Sequence, residues 1–295
     1  MMQIVKHRKI YFTLSGLLLL GSLVSLLFWG LSFGIDFTGG SLMEVEYLKE
    51  RPSNQEIQEK LSVLDLGQIT LQPTGDRGLI LRLKDITEND HQNILKEIGL
   101  NQISEKRFES IGPLIGQELK RKAIWAIGLA LIAIIFYIAW SFRKVSRPVA
   151  SWQYGLVAVI ALFHDIFITL GIFSILSHFR EIEIGLPFVA AFLTILGYSV
   201  NNSIVIFDRA RENLLRTNWD NFSQVINESV NQSLTRCLNT ALTTLFVLLA
   251  IFFLGGETIK YFSLALIIGI VVGTYSSIFI TSSLIVSWYG RKYNN

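Results

Sequence analysis

LTILGYSVNNSIVIFDRARENL, residues 193–214, opens as an apolar helix and closes as a charged one. Ser199, Asn201, Asn202 and Ser203 sit in its middle, with apolar residues on both sides. Polar groups are costly in hydrocarbon and by default face a bundle interior. The meaning of the two asparagines therefore depends on whether this stretch crosses a bilayer.

The surrounding chain says that it does. Hydrophobic residues make up 51% of the 295 and charged residues only 17%, against about 25% charged in soluble domains. Mean hydropathy is +0.46. A bilayer core of about 30 Å takes roughly 20 apolar residues in helix. Six stretches qualify, at 10–33, 123–141, 152–176, 185–207, 237–254 and 261–287. They predict an α-helical polytopic membrane protein. The apolar part Ile10–Phe33 exceeds a signal-peptide core and no small-x-small cleavage site follows it, so the first stretch reads as an uncleaved anchor. Cys237 is the single cysteine, which excludes a disulfide framework, and no Cys/His cluster points to a metal. No cofactor, no catalytic cluster and no nucleic-acid partner are expected; the partner shared by all six stretches is the lipid bilayer.

Charge placement predicts the topology. Lys6, Arg8 and Lys9 precede the first span, and Arg143, Lys144 and Arg147 follow the second. Arg209, Arg211 and Arg216 follow the fourth, and Arg291 and Lys292 the sixth. The short opposite loops hold only Arg180 and Lys260. By the positive-inside rule both termini are cytoplasmic, and the long segment between spans one and two lies outside.

That segment, 41–112, reads as a small folded domain. Met43, Val45 and Tyr47 alternate with Glu44 and Glu46, which is the period of a strand. Ser53 with Glu56 three residues later is a capping box opening an amphipathic helix. QITLQPT and LILRLKD read as strands joined by GDRG; Thr87 caps a second helix that Gly99 stops, and ISEKRFESI is a last strand. The order β-α-β-β-α-β is that of the ferredoxin-like split βαβ unit. His91 stands alone among polar residues and reads as a solvated helix residue.

Three polar insertions interrupt the apolar runs. His164 and Asp165 fall near the middle of span three. A carboxylate there costs roughly 2.5–3.5 kcal/mol on insertion scales, so it is either a buried inter-helix hydrogen bond or a titratable group in a proton path. In span four, Gly197, Asn201, Ile204 and Asp208 share one helical face, and Tyr198, Asn202, Val205 and Arg209 its neighbour. In span five, Arg236, Asn239, Thr240 and Thr243 recur at helical spacing. Arg236 either snorkels to the interface or turns inward as a fixed cation beside an acid. The polar faces of spans three, four and five predict covering helices from a partner, since lipid does not satisfy them. Gly269, Gly273, Ser277 and Thr281 in span six form a small-xxx-small stripe for close helix packing.

Four motifs in register resemble one family: FGIDFTGGSLMEV after span one, FHDIFITLGIF in span three, GYSVNNSIVIFDRARENL in span four, and NQSLTRCLNTALTTLFVLLAIFFLGG leading into span five. Together they resemble SecF, a family of protein-export membrane subunits, over nearly the whole chain. The resemblance carries the motif positions Gly34, Asp36, Gly39, Gly40, Tyr198, Asp208 and Arg209. It implies a place among the RND transporters, a SecD-like partner and association with the SecYEG channel in the bacterial cytoplasmic membrane. It also implies proton-motive-force assistance to a translocating polypeptide, and no enzyme activity. The family's span-four motif runs Gly-Tyr-Ser-x-Asn-Asp-Thr, with its Asp taken as part of the proton path and an Arg at the position of Arg236. Here Asn202 and Ser203 stand at the Asp and Thr positions, and an amide does not titrate. The proton-path candidates are therefore Asp165, His164, Asn201, Asn202 and Arg236, with the acid supplied by Asp165 or by the partner, or with weakened coupling. Two other readings are half of an RND-type small-molecule or lipid transporter, and a passive assembly factor holding a partner's helices.

The topology has a direct test. In a Cys237→Ser background, Lys60→Cys is expected to react with a membrane-impermeant thiol reagent added outside spheroplasts. Labelling only from the cytoplasmic side contradicts the assignment.

Overall fold

The structure, a computed structural model, describes residues 2–64, 66–67, 69–141, 149–180, 182–216 and 221–293. Arg143, Lys144 and Arg147, on which part of the topology reading rests, lie outside the described residues. The chain divides into two compact units, one of Met1–Ser32 with Trp125–Asn295 and one of Phe33–Ile124.

In the first unit, α1 (Arg8–Phe28) follows a 3₁₀ turn, and in the second a short α2 (Ile35–Thr38) opens the small domain. After that domain come α5 (Pro113–Ser141), α6 (Ser151–Arg180), α7 (Leu186–Arg216) and α8 (Phe222–Leu254). The last span joins α9 (Glu257–Tyr275) to α10 (Thr281–Tyr293) through a π-helical turn, Ser276–Ile280. Among the described residues six segments are long and apolar enough to cross a membrane: Val5–Phe28, Pro113–Ser141, Trp152–Arg180, Leu186–Arg216, Phe222–Leu254 and Ile259–Gly290.

The first span packs by a rule opposite to that of a water-soluble core. The residues α1 buries are Ser15, Ser22 and Ser25, while Leu17, Leu20, Leu23 and Leu27 face outward. Lipid tails are as apolar as leucine, so helices associate through small residues and interhelical hydrogen bonds. Ser25 Oγ donates to the Gly171 carbonyl of α6 at 3.0 Å, and Ser174 Oγ donates to the Ser25 and Gly30 carbonyls at 3.0 and 2.6 Å. A Cβ at Gly171 would collide with the Ser22 side chain. The stripe of span six works in the same way. A Cβ at Gly269 would run into Ile195 of α7, and one at Gly273 would come 3.0 Å from Ser199 Cβ. Ser277 and Thr281 are fully buried. At the other end, Asn227 and Asn231 of α8 hold the Met2 carbonyl at 3.0 and 2.9 Å.

The second unit contains β1 (Gly40–Tyr47), α3 (Asn54–Leu61), β2 (Thr70–Thr74), β3 (Gly78–Leu83), α4 (Glu88–Ile98) and β4 (Ile103–Ile111). Its sheet runs β2-β3-β1-β4 with every neighbouring pair antiparallel, as the split βαβ order requires. Met43, Val45 and Tyr47 of β1 all point into the core, which α3 and α4 cover with Ile57, Leu61, Ile94 and Ile98. The predicted capping box of Ser53 with Glu56 forms, and Thr87 caps α4 as expected, in a second capping box with Asp90. Gly99 ends α4 in the left-handed conformation.

His91 departs from the sequence reading. It is buried rather than solvated, stacked on Phe108 of β4 at 3.8 Å between ring centroids. Its Nδ1 meets Glu88 at 3.2 Å and its Nε2 meets Glu105 at 2.9 Å. Hydrogen bonds from Gln92 and then His91 hold the Glu88 carboxyl below the usual carboxylate range. The reason is helical phase: His91 shares its face with the buried Ile94, Leu95 and Ile98.

The two glycines before β1 are required by geometry. Gly39 has φ +75° and a Cβ there would lie 2.7 Å from Pro113 Cα; Gly40 has φ +125° and its Cβ would lie 2.6 Å from the Leu83 carbonyl oxygen. Gly75 also has positive φ, +57°, but open space around it. Gly39→Ala is therefore expected to lower the stability of the domain by more than Gly75→Ala does, for which backbone strain alone costs about 1 kcal/mol. Thermal unfolding of the purified chain compares them, and equal losses contradict the steric assignment.

Candidate functional site

The polar site is assembled from four helices around Asp165. Asp165 is fully buried and His164 nearly so, both on α6. His164 Nδ1 lies 2.9 Å from Asp165 Oδ1. The other carboxylate oxygen, Oδ2, accepts from Ser199 Oγ of α7 at 2.6 Å and from Ser276 Oγ of the π-helical turn at 2.8 Å. His164 Nε2 reaches Ser15 Oγ of α1 at 3.0 Å. Ser15 Oγ donates to Tyr275 Oη at 3.3 Å, and Tyr275 Oη donates to the Tyr11 carbonyl at 3.1 Å.

Local structure explains why these groups meet. Gly273 lets α9 approach α7 at Ser199 and leaves its own position 3.4 Å, measured from an added Cβ, from Asp165 Oδ2. The π-helical turn inserts a residue into the last span, and such turns recur at functional sites. Consecutive hydroxyls then serve neighbouring helices: Ser276 bonds Asp165, while Ser277 donates to the Ser199 carbonyl at 3.0 Å and accepts from Ser203 Oγ at 3.2 Å. Thr169 Oγ1 donates to the Asp165 carbonyl at 2.8 Å. A carboxylate inside a membrane bundle is tolerable when hydrogen bonds occupy its oxygens, and here both oxygens are occupied.

The sequence candidates separate into three groups. Asp165 and His164 come together as a buried pair. Asn202 is buried on α7 with its Nδ2 unpaired, and Tyr198 lies half-buried one turn earlier beside Thr244 and Cys237 of α8. Asn201 is exposed on α7, as is Arg236 on α8, and among the described residues no hydrogen bond links either asparagine to Arg236. Arg236 is not among the hydrogen-bond partners of the buried Asp165. At the end of α7, Asp208 accepts from Arg211 at 3.3 Å and Arg209 donates to Gln232 of α8 at 2.6 Å. In the small domain Gly34 caps α2, where its carbonyl accepts from the Phe37 and Thr38 N–H groups, and Asp36 acts electrostatically on Arg107.

One expectation is corrected. The polar group of span three does not await a partner's helix, because α1, α7 and the last span enclose it. What stays uncovered is a face of α7 and α8 bearing Thr194, Gly197, Asn201, Arg236, Asn239 and Thr243. Sequence reasoning missed Ser15, Tyr275 and Ser276 as members of the site. A signal was present for Ser15, since Ser15, Ser22 and Ser25 fall on one face of an otherwise apolar helix. Among the described residues no group of three His, Cys, Asp or Glu side chains is placed to hold a metal ion.

Residues 90–291 match the family model of the C-terminal region of the protein export membrane proteins SecD/SecF, and residues 24–47 match the SecD/SecF GG motif. The chain is 42% identical to the protein translocase subunit SecF of Thermobaculum terrenum, covering 99% of this chain and 96% of that one. Against the SecF subunit of Desulfurispirillum indicum the identity is 39%, with 94% and 88% covered. Against that of Rickettsia prowazekii it is 35%, with 98% and 92% covered. Among solved structures, the crystal structure of SecDF from Thermus thermophilus, a translocon-associated membrane protein, superposes with a TM-score of 0.82 at 31% identity. That match covers 96% of this chain and 38% of the SecDF chain. A SecDF structure in a super-membrane-facing form gives a TM-score of 0.68 at 32% identity, with 98% of this chain and 39% of that one covered.

The hydrogen bonds at Asp165 predict a stability order. Asp165→Leu leaves the His164 Nδ1 without its partner and the Ser199 and Ser276 hydroxyls without the carboxyl oxygen they share, and is expected to cost about 3–5 kcal/mol, as breaking a buried pair does. Asp165→Asn keeps an oxygen in place and is expected to cost less than half of that. Thermal unfolding in detergent measures both, and a leucine variant as stable as the parent contradicts the site.

Proposed function

The chain belongs to the SecD/SecF family of protein export membrane proteins as a translocase subunit of SecF type, and from that premise we propose how it couples to the proton gradient. Asp165 with His164 is the titrating centre of this subunit. It assists movement of a translocating polypeptide through a SecYEG-type channel, in the bacterial cytoplasmic membrane, using the proton motive force. The observation that carries this is a fully buried carboxylate bonded to an imidazole and two hydroxyls where four helices meet. Ionisable groups within transmembrane segments mark proton relays, and an imidazole beside a carboxylate can hold or pass one proton. Asn202 holds the shape of the family's acid position without its charge.

The partner is a SecD-like subunit, and the uncovered face of α7 and α8 is where it docks. Arg236, Asn239, Thr243 and Asn201 would otherwise meet hydrocarbon, which leaves polar groups unsatisfied. Both termini face the cytoplasm and the β-α-β-β-α-β domain lies outside, in agreement with the basic residues flanking the spans. The role is mechanical and electrostatic, with no catalytic residue assigned.

The experiment is export of a reporter chain with and without a proton gradient. Asp165→Asn is expected to weaken the dependence on the gradient. Asn202→Asp, close in size, is expected to leave export intact or strengthen that dependence. Export abolished by Asn202→Asp and unchanged by Asp165→Asn would overturn the assignment.

A further inference from the structure

We propose that Ser15 and Tyr275 form the relay through which the His164–Asp165 centre exchanges its proton with water at the N-terminal end of α1. The inference rests on the titrating centre proposed above and adds the route and its two hydroxyl members.

The directions of the hydrogen bonds carry it. Tyr275 Oη spends its proton on the Tyr11 carbonyl, and Ser15 Oγ spends its own on Tyr275. Ser15 Oγ thus has only a lone pair for His164 Nε2 at 3.0 Å, so Nε2 carries a hydrogen. Ser199 Oγ donates to Asp165 Oδ2, and so does Ser276 Oγ, which has the Gly273 carbonyl at 3.2 Å as a longer second acceptor; the proton that remains to be placed lies between Asp165 Oδ1 and His164 Nδ1 at 2.9 Å. It sits on the carboxyl beside a neutral imidazole or on Nδ1 of an imidazolium beside a carboxylate. Both states keep the rest of the network unchanged.

Net loss of the proton does not. Once Asp165 is a carboxylate holding Nδ1–H of a neutral imidazole, Nε2 becomes an acceptor. Ser15 must then turn its hydroxyl from Tyr275 to Nε2. The balanced sequence is a set of short transfers: Asp165 Oδ1–H to His164 Nδ1, Nε2–H to Ser15 Oγ, Ser15 O–H to Tyr275 Oη, and Tyr275 O–H to water. Each hydroxyl gives one proton and receives one, and one proton leaves. Uptake runs in reverse.

Position fits the route. Ser15 and His164 are buried away from lipid, and the chain of bonds ends at Tyr11. Tyr11 is three residues from the start of α1 at Arg8, about 4.5 Å along the helix axis. The titratable groups facing the pair are Tyr275 from α9, its ring centroid 6.4 Å from that of His164, and Tyr11 from α1 beyond it; α7 presents the Ser199 hydroxyl.

The test uses the full chain with its partner subunit in membranes and reads the gradient-dependent part of reporter export, its pH profile and its solvent deuterium effect. Ser15→Ala and Tyr275→Phe are each expected to lower that part roughly tenfold or more, a modest share of what a positioned proton-transfer group contributes, with protein level and partner co-purification unchanged. Ser15→Thr, which keeps a hydroxyl, is expected to restore it. Tyr275→Phe removes one oxygen and keeps the ring, so it carries the test alone if Ser15→Ala does not accumulate. Asp165→Asn runs beside them. If Asp165→Asn lowers gradient dependence while Ser15→Ala and Tyr275→Phe leave export and its pH profile as in the parent, the relay is wrong and the titrating centre stands. If Asp165→Asn has no effect, the centre itself fails.

Discussion

A carboxylate with no water around it must have both oxygens hydrogen-bonded, and the membrane unit is arranged around meeting that demand at Asp165. Moving such a group into a low-dielectric interior costs several kcal/mol even after relaxation. Four helices share the cost. The His164 ring comes from the same helix, Ser199 from α7, Ser276 from the last span, and Ser15 from α1 through the imidazole. The geometry of the bundle is therefore tied to the protonation state at its centre, since adding or removing a proton changes which of these partners donates and which accepts.

Close approach makes this arrangement reachable. Serine hydroxyls are short, so helices bearing them must nearly touch, and glycine provides the room. Gly171 opposite Ser22, Gly269 opposite Ile195 and Gly273 opposite Ser199 are places where an added Cβ would meet the neighbouring helix. The π-helical turn Ser276–Ile280 adds a local change of phase, so adjacent residues serve α6 and α7. Away from this centre α1 turns Leu17, Leu20, Leu23 and Leu27 outward, as contact with lipid requires.

Much of this was legible in the sequence, and the boundary of what was legible has a physical origin. Six apolar runs announce six helices because the bilayer sets their length. Met43, Val45 and Tyr47 announce a half-buried strand, and Ser53, Thr87 and Gly99 mark helix ends, because these signals are local. His164 and Asp165 stood out as costly groups in hydrocarbon. Tyr275 and Ser276 did not, because a single hydroxyl in a membrane helix can bond back to its own backbone, as Thr13 does to the Lys9 carbonyl. Only tertiary packing decides which hydroxyls turn to another helix. His91 reads as solvated from its polar neighbours, yet its spacing from Ile94, Leu95 and Ile98 places it on the buried face of α4. Helical spacing leaves Arg236 free to snorkel or to turn inward, since both satisfy the same periodicity.

The central claim is that the buried Asp165 carboxyl gains and loses a proton in the working complex. Infrared difference spectroscopy of the complex in membranes, stepped in pH, reads this directly through the stretching band of a protonated carboxyl. A pH-dependent carboxyl band that is present in the parent, absent in Asp165→Asn and shifted in Ser199→Ala, which removes one hydrogen bond to the same oxygen, is the result predicted. A pH-dependent carboxyl signal unchanged by Asp165→Asn would place the titrating acid elsewhere and contradict the claim.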